Sequence, residues 1–229
     1  MSKVNALHHI AISTGDIKQQ IEFFSDVLGM ELVALYWMHG VEGAWHGFMR
    51  LGDAAVAFVF VKANTTKQTV IGQTHAGNGG GPSAPGTMQH LALNVSTMAD
   101  LLAMRDRIRS RGVPVFGPLR HGFCTSIYFA GPEGLSLELS TSDGCEHPLD
   151  LDGTWIDPEV VGLAGISESE LASYMNPAPY ADQGGAVPQP AYDPQRPHMV
   201  YPSAVYERML ATPDEVMTRK GSVTAPPAK

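Results

Sequence analysis

His90-Leu91-Ala92-Leu93-Asn94 repeats the pattern of His9-Ile10-Ala11-Ile12-Ser13. In each run a histidine opens an alternation of apolar with small or polar residues, the period of a half-buried strand. A helical stretch follows each. The second copy closes on Gly134-Leu135-Ser136-Leu137-Glu138-Leu139-Ser140, a strand with one carboxylate inside an apolar run. A carboxylate there needs a partner, because a lone buried charge costs several kcal/mol.

Working outward, residues 6–62 read as one unit. A strand from Leu7 to Ser13 leads to Asp16, a helix cap. The helix carries Ile17, Ile21, Phe24 and Val27-Leu28 on one side and stops at Gly29. Glu31–Trp37, Ala44–Arg50 and Ala54–Val61 then read as strands. Residues 87–141 repeat that order. Gln89–Val95 is a strand and Met98–Ser110 a helix closed by Gly112. Val113–Phe116, Thr125–Ala130 and Leu135–Ser140 are the three strands that follow. The predicted fold class is α+β: two paired βαβββ modules, 1–62 and 87–142, forming a concave mixed sheet around a metal site. One module has a sheet face with nothing to cover it; two can pair and enclose a cavity.

Between the modules, residues 63–86 contain Gly77-Asn78-Gly79-Gly80-Gly81-Pro82, read as a flexible linker. It lacks the Lys and Ser/Thr of a phosphate-binding loop. Residues 143–229 are rich in proline, with helical pieces expected at Ser167–Met175 and Ser203–Ala211. This extension holds Trp155, Tyr174, Tyr180, Tyr192, Tyr201 and Tyr206. It is therefore expected to pack on the modules or on a partner subunit, with Gly221–Lys229 frayed. A homodimer or higher homo-oligomer is the expected assembly.

The formal net charge of −8 argues against nucleic-acid binding. A small anionic ligand stays compatible with it, since a metal dominates its local field. No apolar run has the length of a membrane span. The N-terminus shows no basic segment followed by a hydrophobic core. Cys124 and Cys145 alone make no disulfide framework. A cytoplasmic location is expected.

The glutamate lies 48 residues after His90 (138 − 90), and the same step from His9 lands on Ala57. The second copy thus offers a ligand where the first offers none. A site between the copies would hold His9, His90 and Glu138, with no fourth protein ligand. That leaves positions open for water, substrate or oxygen. His8 is then expected to face the opposite side from His9. Two imidazoles and one carboxylate match the facial triad of non-heme iron.

These residues resemble the vicinal oxygen chelate superfamily over about residues 6–142. Its members pair βαβββ modules around a metal, and they include glyoxalase I, fosfomycin-resistance transferases and type I extradiol ring-cleavage dioxygenases. The segment from His121 to Glu138 is similar to the extradiol dioxygenase signature. His121, Ile127, Tyr128, Pro132, Gly134 and Glu138 fall on its positions, while Leu119 and Gly131 depart from its residue types. The resemblance implies an Fe(II) enzyme acting on a small aromatic substrate with O₂. His121 would be the acid/base group, and Tyr128 would hydrogen-bond the substrate oxygen. Mn, Zn, Ni or Co are the other ions the ligand set admits. It also implies a histidine late in the first module, where this chain has Ala54 or Ala55; His39 and His46 are the candidates to replace it. Trp37, Trp45, His46, Phe48, Phe58 and Phe123 are candidates to wall an aromatic pocket. Fosfomycin transferases use the same triad, so a non-redox isomerase, lyase or thiol transferase is the competing activity. A metal-free binding module is a third class, which the intact triad disfavours.

Overall fold

The computed structural model describes residues 4–149, 153–179, 181, 184–220 and 225–227. Two units separate within it. The larger comprises Asn5–Trp37 and Gly43–Pro177; the smaller draws on Met38–Glu42 and the chain from Ala178 onward.

In the larger unit the first module runs β1 (His9–Thr14), α1 (Ile17–Glu22), β2 (Leu32–Trp37), β3 (Ala44–Leu51) and β4 (Ala54–Val61). Asp16 Oδ1 accepts from the Gln19 amide at 3.1 Å and starts the helix. The helix continues as a π turn over Phe23–Val27 and leaves through Gly29, at φ +75°. Its apolar side is buried as the spacing requires: Phe24 is sealed from solvent and meets Phe58 of β4 edge-on at 4.8 Å. The sheet order is β1-β4-β3-β2, with β1 parallel to β4 and the other pairs antiparallel.

The second module repeats this with β5 (Leu91–Asn94), α2 (Met98–Ser110), β6 (Phe116–Arg120), β7 (Thr125–Ala130) and β8 (Ser136–Thr141), in the order β5-β8-β7-β6. Thr97 and Asp100 cap α2 reciprocally, and Leu101 and Ile108 are its buried residues. The strand expected at Val113–Phe116 instead begins at Phe116. It is an edge strand containing Pro118, with a register shift between Phe116 and Leu119. An edge tolerates the missing N–H that a central strand would not, so the proline that ends the apolar run in sequence does not end the strand.

The strands pair as two four-stranded sheets rather than one. One hydrophobic cluster nevertheless spans both modules, from Ile12, Phe24, Met49 and Phe58 to Leu93, Leu101, Ile127 and Leu139. Two polar ties reinforce it. Arg107 of α2 donates to the Val27 and Asp26 carbonyls at the end of the first module's helix, at 3.0 and 2.8 Å. Glu133, in the β7–β8 turn, accepts from the Gly15 amide and from Gln20 Nε2, both at 2.8 Å. Glu133 also holds a left-handed backbone, φ 56°, which is uncommon for a residue with a side chain. Glu133→Ala removes the acceptor for two donors at the module boundary, and a stranded buried donor costs about 1–3 kcal/mol. Chemical denaturation should show a loss in that range; a wild-type midpoint would mean the tie carries no stability.

Beyond β8, the larger unit adds two short helices: α3 (Pro158–Leu163), capped by Asp157, and α4 (Glu168–Met175), capped by Ser167. Trp155 meets Phe123 at 5.7 Å and donates to the His147 carbonyl at 3.2 Å. The smaller unit contains α5 (Ser203–Leu210) and α6 (Asp214–Lys220). There Tyr206 packs edge-on to Tyr192 at 5.4 Å and stacks on Tyr201 at 6.1 Å. Sequence patterning missed α3 and α6, each a short segment without a full apolar stripe. Tyr180 and most of Gly221–Lys229 lie outside the described residues. No helix among the described residues is long and apolar enough to cross a membrane.

Candidate metal centre

Strand pairing reproduces the expected register between the copies. β1 sets His9 beside Ala55, so Ala57 lies two residues further along β4. β5 sets Leu91 beside Leu137 and Ala92 beside Glu138. His90, just before β5, therefore stands to Glu138 as His9 stands to Ala57.

The face of the second sheet away from its helix carries the polar residues. Leu137 and Leu139 point into the core, so period-two alternation turns Ser136, Glu138 and Ser140 to the other side. On β7, Ser126 pairs with Ser140 and Tyr128 with Glu138. Glu138 is 5% exposed. Its Oε2 lies 2.9 Å from His90 Nε2, and its Oε1 accepts from Ser140 Oγ at 2.5 Å. Burial pushes its pKa up, but the hydroxyls of Ser126 and Ser140 and the His90 imidazole outweigh that and hold it below the ordinary value. Tyr128 moves the other way: burial first, and the Glu138 charge second, raise its pKa, so its hydroxyl stays protonated.

His90 is oriented from behind. Its Nδ1 contacts Gln89 Oε1, and Gln89 Nε2 donates to the Asn78 carbonyl at 3.0 Å. With Nδ1–H given to Gln89, the Nε2 edge faces a carboxylate oxygen, and a proton or a metal cation must lie between them. An imidazole nitrogen and a carboxylate oxygen are both donors that divalent metal ions take. His90 and Glu138 stand close enough, at 2.9 Å, to hold one ion between them.

His9 does not join this pair. Its ring lies 5.8 Å from Phe48, and its Nδ1 is 2.8 Å from His8 Nδ1. Among the described residues no three His, Cys, Asp or Glu side chains gather around one point. His8 precedes β1, though its carbonyl still accepts from the Ala55 amide at 3.2 Å, and its ring meets that of His9 edge-on at 5.1 Å.

His121 and Tyr128 do come together. Tyr128 Oη lies 3.0 Å from His121 Nε2, and both line a cavity of about 540 Å³. Its apolar wall includes Phe116, Leu119, Phe129 and Leu135, and the linker residues Gly77–Gly80 line it too. Gly79 lies so close that an added Cβ would sit 3.5 Å from the Tyr128 ring. The linker is thus a wall of the pocket, which its glycine content concealed.

Most of the aromatic candidates lie elsewhere. His46 and Phe48 sit on the first sheet, with ring centroids 5.0 Å apart, and are not among the residues lining this cavity. The His46 Nε2 is buried without a partner, and burial followed by the nearby His9 lowers its pKa. Phe58 is core, Trp45 stacks on Phe60, and Trp37 is 70% exposed. Phe123 packs on Trp155 and lies 6.5 Å from His121. His39 belongs to the smaller unit. Phe116, Leu119, Ser126 and Ser140 were not picked out from sequence; the two serines were legible as same-face neighbours of Glu138.

Residues 6–139 match the family model of the Glyoxalase/Bleomycin resistance protein/Dioxygenase superfamily. Biphenyl-2,3-diol 1,2-dioxygenase 3 of Rhodococcus globerulus is 22% identical over 188 residues, covering 76% of this chain and 90% of the relative. A probable lactoylglutathione lyase of Synechocystis sp. is 29% identical over 138 residues, covering 58% and 92%. Among solved structures, a glyoxylase/bleomycin resistance protein/dioxygenase domain from Frankia sp. EAN1pec superposes with a TM-score of 0.49 at 13% identity, covering 61% of this chain and 93% of that one.

Proposed function

Since the chain belongs to the glyoxalase/bleomycin resistance protein/dioxygenase superfamily, we propose that it is a divalent-metal enzyme, and more finely an Fe(II)-dependent extradiol-type dioxygenase opening the ring of a small catechol-like aromatic with O₂. The observation that carries this reading is the pairing of His90 Nε2 with Glu138 Oε2 at 2.9 Å beside the Tyr128–His121 hydrogen bond. His90 and Glu138 are the residues that would hold the ion. When bound, Fe(II) supplies Lewis acidity and a path for electron density between a catecholate and O₂.

The chain's own groups do the rest. The protonated Tyr128 hydroxyl offers a hydrogen bond to a substrate oxygen. With His121 Nε2–H donating to Tyr128 Oη, the Tyr128 proton is free for that oxygen, and a proton can pass from His121 through Tyr128 to the substrate. Phe116, Leu119, Phe129 and Leu135 give an aromatic ring apolar surface and exclude water from it. The biphenyl-diol dioxygenase relative supports a catechol-like substrate.

The lyase relative supports the second reading, a non-redox isomerase, lyase or thiol transferase with the same two donors. Ala57, standing where the first module would present a counterpart of Glu138, speaks against an isomerase or lyase that needs a fourth protein ligand, while a thiol transferase on the same donors stays open. The test is metal analysis of anaerobically purified protein, then O₂ uptake with a panel of catechols. Stoichiometric iron and catechol-dependent uptake are expected. Full metal loading with no uptake on any catechol would move the assignment to the non-redox reading. Metal content of His9→Ala against His90→Ala decides whether His9 has any part in binding.

A further inference from the structure

Glu138 is braced by serine hydroxyls that the proposed chemistry does not use, Ser140 nearest and Ser126 behind it. Ser140 Oγ reaches Oε1 at 2.5 Å, Ser126 Oγ lies 2.9 Å from Ser140 Oγ, and Cys124 Sγ lies 3.4 Å from Ser126 Oγ. The direction of this line is fixed at its end. An ionised carboxylate can only accept, so Ser140 gives its single proton to Glu138. Ser126 then gives its own proton to Ser140 or to Glu138 itself, and the Cys124 thiol can donate to Ser126.

We propose that Ser140, backed by Ser126, is a positioning residue for Glu138. It ties Oε1 and so presents Oε2 alone on the side where His90 stands. The carboxylate is thereby set up as a one-oxygen ligand, and a position that a second oxygen would fill stays available. This inference rests on the metal-enzyme reading above.

The duplicated architecture supplies an internal control. In the first module Phe48 pairs with Ala57 and His46 with Val59. Ala57 thus stands where Glu138 does, Val59 where Ser140 does, and His46 where Ser126 does. Neither serine has a hydroxyl counterpart in the copy that lacks the carboxylate. The brace and the ligand occur together in one module and are both missing from the other. General strand stabilisation would give no reason for that pairing.

The test titrates metal-free full-length protein with Co(II) alone, reading both affinity and the coordination-sensitive visible absorption. Removing a group that orients a metal ligand typically weakens metal binding 10–100-fold. Ser140→Ala should weaken Co(II) by about that factor and change the absorption band, because the freed carboxylate can turn to offer both oxygens. Ser126→Ala keeps the nearest donor, Ser140 at 2.5 Å, and should show a smaller loss with a smaller spectral change. Ser140→Thr, which keeps the hydroxyl, should restore both readouts. A role confined to packing predicts lowered melting temperatures with wild-type affinity and spectrum, and that result would overturn the proposal. Wild-type protein that takes up no Co(II) would sink the metal reading and the brace together; wild-type uptake with both alanine variants unchanged would sink only the brace.

Discussion

Glu138→Gln is expected to strip the protein of its metal, with affinity falling by more than the factor of about 100 that marks the upper end for losing an outer partner. The substitution keeps the shape of the side chain but removes the charge facing His90 Nε2. The amide keeps only one acceptor oxygen, so if that oxygen takes the Ser140 proton the NH2 faces His90, where it cannot bind a metal. Turnover should vanish with the metal. Folding should survive, because the neutral amide is cheaper to bury than a carboxylate. Stability should change shape with pH as well. The folded-state pKa of Glu138 lies below its ordinary 4.5, so the folded chain binds this proton less tightly than the unfolded chain. The stability this adds is fully present above pH 4.5 and is lost as pH falls through the lower folded value. Glu138→Gln should lack that acid limb. Metal analysis and acid titration of both proteins read the two effects separately; a Gln variant that keeps its metal would remove Glu138 from the ligand set.

His121→Ala is the second large expected effect, and it should leave the metal in place. The side-chain polar partner of His121 is Tyr128 Oη at 3.0 Å, and both line the 540 Å³ cavity. Loss of a general acid/base group costs about 10²–10⁴-fold in rate. Turnover should fall by that factor with metal content near wild type. Tyr128→Phe separates the contributions, because it removes the shared hydrogen bond and keeps the ring that Gly79 approaches. Unchanged turnover of His121→Ala at saturating substrate would show that the His121–Glu138 segment resembles the dioxygenase signature without working as one.

Sequence patterning was most reliable where a periodic apolar stripe and its caps agree. Met98–Ser110 is such a case, with Thr97 before it and Gly112 after it. Thr125–Ala130 is another, since each alternate residue has one clear side to face. The register of the duplication was legible too, because strand pairing preserves a fixed step from histidine to carboxylate. Convergence of His9 on the other two ligands was not. A repeat tells which positions correspond, but where two sheets meet depends on side-chain packing that no single-chain pattern carries. The cavity was hidden for a similar reason: Phe116 and Leu119 belong to an edge strand interrupted by Pro118, and Gly77–Gly80 have the composition of a spacer.

That spacer deserves to be read as a measuring device. Gly81 packs so tightly that a Cβ there would come within 2.2 Å of the Ala76 carbonyl oxygen, and Ala76 itself is 2% exposed. Asn78 anchors the amide that steadies His90. The distance along the chain between the two copies and the width of the opening beside Tyr128 are therefore set by the same few residues. A residue added or removed between Ala76 and Gly81 would therefore move the pocket wall at Gly79 and the Asn78 carbonyl behind Gln89 together.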